Sequence, residues 1–205
     1  MEQRKARVAV LVSGGGTNLQ AIIDAAKKGA IPHGEIRLVI SNKAGAYALK
    51  RAEAAGIPAV TVLKKECGDQ EDFEKELIRI LTEYGIELIV LAGFLSILSK
   101  DFTDRYPNRI LNVHPSLIPS FCGEGFYGLK VHEAALEKGV KVTGATVHFV
   151  NEIPDGGTIL FQKAVKVRKG DTAESLQRRV MEQAEWKLLP KAVETVSKAI
   201  INQKA

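Results

Sequence analysis

Short unbroken apolar runs alternate along this chain with stretches in which apolar residues recur every third or fourth position. Residues 8–12, 36–40, 59–63 and 86–91 are dominated by Val, Ile, Leu and Ala, with one polar residue in each of the last three, and each is short enough for a strand buried on both faces. Between them, residues 18–28 place Leu19, Ile22, Ile23 and Ala26 on one helical face. Residues 71–83 do the same with Phe73, Leu77, Ile80 and Leu81. A shorter helix over 47–55 is stopped by Gly56 and Pro58. Strand and helix in strict alternation predict a doubly wound α/β fold with a mostly parallel sheet covered on both faces.

The pattern changes after residue 140. Residues 143–150 and 158–167 read as two long strands joined by a short Pro/Gly loop, a hairpin-like antiparallel element. A long final helix follows, with Asp171 as its predicted N-cap and Glu174 completing a capping box. Pro190 is expected to kink that helix or end its first half. With no repeat or linker, the expectation is one domain over 1–205, its phosphate-binding half at about 1–100 and its catalytic half at about 101–205.

Composition narrows the function. The net charge of +5 is modest, basic residues are scattered and aromatics are 6%, which gives no nucleic-acid signature and suits small anionic substrates. No apolar stretch is long enough to span a bilayer, and the first run is too short for a signal peptide, so a cytoplasmic protein without membrane contact is expected. Cys67 and Cys122 lack metal-ligand spacing and read as reduced thiols, with no metal expected.

Two motifs carry chemistry. Ser13-Gly14-Gly15-Gly16-Thr17-Asn18 lies between a strand and a helix, where backbone N–H groups at a helix start bind phosphate. Gly15, Gly16, Thr17 and Asn18 are the candidate donors. The loop lacks the Gly-Lys-Ser/Thr of a Walker A motif, and Leu19 stands where the dinucleotide fingerprint needs glycine. Further on, the run Ile110-Leu111 ends in Asn112-Val113-His114-Pro115-Ser116, and Asp155-Gly156-Gly157 follows a later run. An amide, an imidazole and a carboxylate at strand ends suit proton transfer and oxyanion stabilisation.

These motifs, in order with Ile40-Ser41-Asn42-Lys43, Leu91-Ala92-Gly93-Phe94 and Val147-His148-Phe149, resemble the folate-dependent phosphoribosylglycinamide formyltransferases of purine synthesis. The resemblance covers nearly the whole chain. It implies formyl transfer from 10-formyltetrahydrofolate to the amine of glycinamide ribonucleotide, with Asn112, His114 and Asp155 as the catalytic set. Asp155 is expected to raise the pKa of His114 by charge proximity. By the same resemblance the folate lies against Leu95, Ser96, Ile97 and Leu98 as well as Asn112. Glu185 meets the ribonucleotide, although one residue is inserted before it, and Ser96 stands where some members have arginine.

Each residue also has an ordinary structural reading. Asn112 fits a turn, Asp155-Gly156-Gly157 fits a tight bend, Glu185 fits an exposed helix face and residues 95–98 fit a core. His148 is either a packed strand residue or a support for the proton network. Val147 is placed beside the pocket, and His33 and His132 are expected to be solvated. Residues 120–128 are longer than in many relatives and read as a mobile lid or a surface insertion. A formyltetrahydrofolate hydrolase is expected to carry an extra N-terminal domain, and a methionyl-tRNA formyltransferase a C-terminal RNA-binding domain. A phosphate-binding module would need no proton relay. The expected partners are small molecules, in a monomer or homodimer.

Overall fold

In a computed structural model, residues 4–203 are described, and they form a seven-stranded sheet in the order β3-β2-β1-β4-β5-β6-β7. The strands are β1 (Ala6–Val12), β2 (Gly34–Ser41), β3 (Ala59–Thr61), β4 (Leu88–Leu91), β5 (Ile110–His114), β6 (Val142–Phe149) and β7 (Ile159–Lys166). The first five run parallel, and β6 and β7 add antiparallel to the β5 edge. The predicted doubly wound sheet and its hairpin are therefore both present, with strand ends shifted by up to two residues.

The helices are α1 (Thr17–Lys27), α2 (Tyr47–Ala54), α3 (Gln70–Glu83), α4 (Lys100–Arg105), α5 (Leu129–Glu137), α6 (Ala173–Val180) and α7 (Trp186–Gln203). Continuous apolar strands are needed because both faces are covered. One face packs Val8, Val10 and Val12 against α1 and α7 through Leu19, Ile22, Leu189 and Val193. The other packs Ala9, Leu11, Leu38 and Ile40 against Phe73 and Leu77 of α3 and Phe102 of α4. Val147, predicted beside the pocket, is fully buried in the first of these cores.

Strand order reverses between β1 and β4, since β2 and β3 extend one way and β4 and β5 the other. Loops leaving the carboxyl ends of β1 and β4 therefore diverge and open a crevice, the usual ligand position in such sheets.

Three local expectations are corrected. Thr172, not Asp171, caps α6: its hydroxyl accepts from Ser175 N–H while the Ser175 side chain accepts from Thr172 N–H. Asp171 is engaged elsewhere, pairing with Arg179 through two contacts of 2.6 Å that hold its carboxyl well below the usual range. Of the two outcomes expected for Pro190, an end to the helix's first half does not occur; the residue lies buried inside α7. The carbonyl it leaves unpaired is that of Trp186, where a π-helical turn, Met181–Glu185, gives way to α7. His33 and His132 are not solvated. His33 pairs with Glu194 at 2.5 Å, and His132 is fully buried on the inner face of α5 beside Val131 and Ala135. Among the described residues no helix is long and apolar enough to cross a membrane.

Candidate active site

Asn112 and His114 lie on one face of β5 by strand alternation, and the antiparallel register sets His148 of β6 opposite Asn112. The turn after His114 is fastened to β6, where Thr146 Oγ1 donates to Ser116 C=O at 2.7 Å and accepts from Ile118 N–H at 3.1 Å. Asp155 comes from the β6–β7 loop, in a left-handed conformation with φ of 56°. That loop is closed at its neck. A Cβ on Gly157 would sit 1.8 Å from the Phe149 carbonyl oxygen, so this position needs glycine for room.

The fold thus gathers the three predicted catalytic residues. Asp155 Oδ2 lies 3.3 Å from His114 Nδ1, and Asp155 Oδ1 lies 3.4 Å from both Asn112 Nδ2 and His148 Nε2. His148 Nδ1 is 2.8 Å from its neighbour's carbonyl, Phe149 C=O. With its proton on Nδ1, the ring leaves Nε2 to accept from Asn112 Nδ2–H at 3.1 Å. His148 is therefore packed and part of the polar cluster at once.

Residues 120–128 are braced against this cluster. His114 Nε2–H donates to Phe121 C=O at 2.8 Å, and Gly123 N–H donates to Asp155 Oδ2 at 2.9 Å. Phe121 and Phe126 pack edge to face inside the loop. Two backbone groups of the segment thus touch the predicted catalytic residues, which its sequence did not indicate.

The electrostatics bear out the expected action of Asp155 and set a stronger effect against it. The Asp155 charge does act to raise the pKa of His114, but burial acts more strongly and the net direction is downward. For Asp155, burial opposes ionisation, yet its contact with His148, the Gly123 N–H and its nearness to His114 leave its carboxyl below the usual range. His132 is pushed down to about 4, by burial first and the His114 charge second, and neither of its ring nitrogens has a hydrogen-bond partner.

A cleft of about 120 Å³ opens beside Asn112, His148 and Asp155. Its apolar walls are Leu91, Phe94, Ile97, Leu98, Val150 and Ile153. Of the predicted folate segment, Ser96, Ile97 and Leu98 line this cleft and Leu95 does not; Leu98 is buried, and Leu95 and Ile97 expose 55% and 64% of their surface. Leu95 N–H and Ile97 C=O already pair with Ser13 Oγ and Gln70 Nε2. The Ser96 side chain accepts from Asn42 Nδ2–H at 2.7 Å.

Beyond β1 lies the glycine loop. Gly16 has φ of 71°, and a Cβ there would meet the Ala48 Cβ at 2.6 Å, so α2 packs against the loop. Arg51 of α2 donates Nε–H to Gly15 C=O at 2.8 Å and reaches Gln20 as well. This brace was missed in the sequence, where Arg51 is one of many scattered cations. Thr17 Oγ1 faces Met181 Sδ at 3.8 Å. Asn18 Nδ2–H donates to Glu185 Oε2 at 2.7 Å, and Glu185 is buried, not an exposed helix carboxylate. Burial pushes the Glu185 carboxyl up to about 7, offset in part by Asn18. The helix is wound as a π turn over Met181–Glu185, about one residue more per turn than an α-helix, and Glu185 ends that turn with its carboxylate against Asn18. Among the described residues no group of three His, Cys, Asp or Glu is placed to hold a metal ion.

Comparison with known proteins agrees with this arrangement. Residues 6–193 match the model of the formyl transferase family. The chain is 47% identical over 201 residues to the trifunctional purine biosynthetic protein adenosine-3 of Gallus gallus, covering 98% of this chain and 19% of that one. It is 44% identical over 184 residues to the phosphoribosylglycinamide formyltransferase of Haemophilus influenzae, covering 90% and 84%. Glycinamide ribonucleotide transformylase 1 from Symbiobacterium toebii superposes with a TM-score of 0.89 at 42% identity, covering 95% of this chain and 89% of that one. With its sheet, its motif order and its relatives in agreement, the chain belongs to the formyl transferase family, and within it resembles the phosphoribosylglycinamide formyltransferases.

Proposed function

We propose that this chain transfers a formyl group from 10-formyltetrahydrofolate to the amine of glycinamide ribonucleotide, a step of purine biosynthesis. The observation that carries this reading is the convergence of Asn112, His114 and Asp155, of which Asn112 and Asp155 line the cleft and His114 lies buried behind Asp155. The names of the relatives supply the formyl group and its acceptor, and the folate donor follows from the motif resemblance. The apolar walls suit a flat folate ring, and the N–H groups of Gly15, Gly16, Thr17 and Asn18 suit the ribonucleotide phosphate. Glu185, held against Asn18, is read as the contact to the ribose or amine.

The folate supplies an activated formyl carbon. Asn112 donates an amide N–H to the oxyanion that develops there as the amine attacks. His114 rests neutral, with Nε2–H on Phe121 C=O and the Nδ1 lone pair toward Asp155. Asp155 accepts the proton of the attacking amine and shares it with His114 Nδ1. The resulting imidazolium stands beside the oxyanion, with acceptors at both ring nitrogens. Asp155 then returns the proton to the departing folate nitrogen.

The test is release of tetrahydrofolate from 10-formyltetrahydrofolate with and without glycinamide ribonucleotide. Release only with the ribonucleotide, and a fall in kcat of about 10²–10³ in Asn112→Ala, support the reading. Release that ignores the ribonucleotide identifies a hydrolase. Ligand binding that survives His114→Ala without any turnover in the parent identifies a binding module.

A further inference from the structure

The glycine loop and the folate-side wall are hydrogen-bonded to one another. β1 lies between β2 and β4, so three neighbouring strands deliver three loops to the same end of the sheet. Ser13, where β1 runs into the glycine loop, donates its N–H to Gly93 C=O at 3.0 Å, and its buried hydroxyl oxygen accepts from Leu95 N–H at 2.9 Å. From the other side, Asn42 follows β2 and is held to β1 by its N–H on Val12 C=O at 3.3 Å. Its side chain then crosses the end of β1 to reach Ser96 Oγ at 2.7 Å. Phosphate loop and cleft wall are thus joined by Ser13 within the loop and by the Asn42–Ser96 bond across it.

The far end of the wall is anchored separately. Gln70 Nε2–H donates to Ile97 C=O at 3.1 Å, and Glu74, a buried carboxylate of α3, accepts from Ser99 N–H at 2.7 Å and from the Ser99 hydroxyl. Residues 93–99 are therefore a short span tied to α3 at one end and to the phosphate loop at the other. A shift of Ser13 on filling the glycine loop is passed directly to Leu95, at the edge of the cleft.

We propose that Ser13 and the Asn42–Ser96 pair are positioning residues that couple the two substrate subsites, so that filling the glycine loop tightens the cleft wall and each substrate strengthens binding of the other. The proposal rests on the reading of the two subsites given above. Coupling of this kind is reciprocal, so one factor describes both directions.

The experiment is calorimetric titration of tetrahydrofolate with and without saturating glycinamide ribonucleotide, and the reverse, on the whole chain. The ratio of the two Kd values is the coupling factor, expected at about fivefold or more. Ser13→Ala and Asn42→Ala each bring it toward one, while Ser13→Thr, which keeps the acceptor oxygen, retains it. Two outcomes overturn the proposal while leaving the function standing: both ligands bind the parent chain with a factor of one, or the factor is unchanged in both alanine variants. Weaker binding of both ligands with the factor preserved marks these bonds as merely structural, and also overturns it. Failure of both ligands to bind the parent removes the functional reading together with the coupling.

Discussion

His114 faces two acceptors, the Phe121 carbonyl and the Asp155 carboxylate, yet its proton affinity falls because burial outweighs both. Removing the Asp155 charge takes away a contribution that raises the pKa, so Asp155→Asn lowers the His114 pKa further. NMR titration of the ring protons reads this, and an unchanged or higher value contradicts it. The candidate catalytic residues were legible because the motif Asn112-Val113-His114-Pro115-Ser116 and the later Asp155 are compact signals in the sequence. Arg51, Asn42 and the backbone groups of Phe121 and Gly123 were not legible. Their partners are Gly15, Ser96, His114 and Asp155, and those proximities are created by strand order and by loops.

At the scale of elements, the competition for the start of α6 has an outcome that sequence alone leaves tied. Asp171 with Glu174 and Thr172 with Ser175 have the same spacing, and Arg179 decides it by taking Asp171. Thr172→Ala should therefore cost about 1 kcal/mol in urea unfolding, and more than Glu174→Ala. The segment 120–128 has a comparable test. Gly123 has φ of 88° and donates to Asp155, so Gly123→Ala strains the backbone and draws the donor away. A fall in kcat of about tenfold or more is expected, with Kd for both substrates changed less. The apolar runs foretold β1, β2 and β4 because burial on both faces leaves no alternation to misread. The π turn was not foretold, since one extra residue in a helix leaves no pattern of its own.

For the whole molecule, Glu185 makes stability depend on pH. Its carboxyl is raised from 4.5 to about 7 in the folded chain, so the folded state holds the proton more tightly than the unfolded state. Its contribution is fully present below about 4.5 and is lost as pH rises through about 7, on the order of 3 kcal/mol in all. Glu185→Gln keeps a neutral side chain in place, and its melting temperature should exceed that of the parent at pH 8 while matching it near pH 4.5. Equal differences at both pH values would mean that the carboxyl is not titrating in this window.

The closed neck of the β6–β7 loop has a consequence for redesign. Phe149 N–H pairs with Thr158 C=O at 2.9 Å, and Gly157 packs against the Phe149 carbonyl, so the hairpin beneath is complete without the tip. The tip residues Asn151, Glu152, Ile153 and Pro154 line the cleft, and Glu152, Ile153 and Pro154 are exposed. On the proposed reading, exchanging these four residues as a cassette changes the ligand shape the cleft accepts, while the sheet that carries Asn112 and His114 keeps its register.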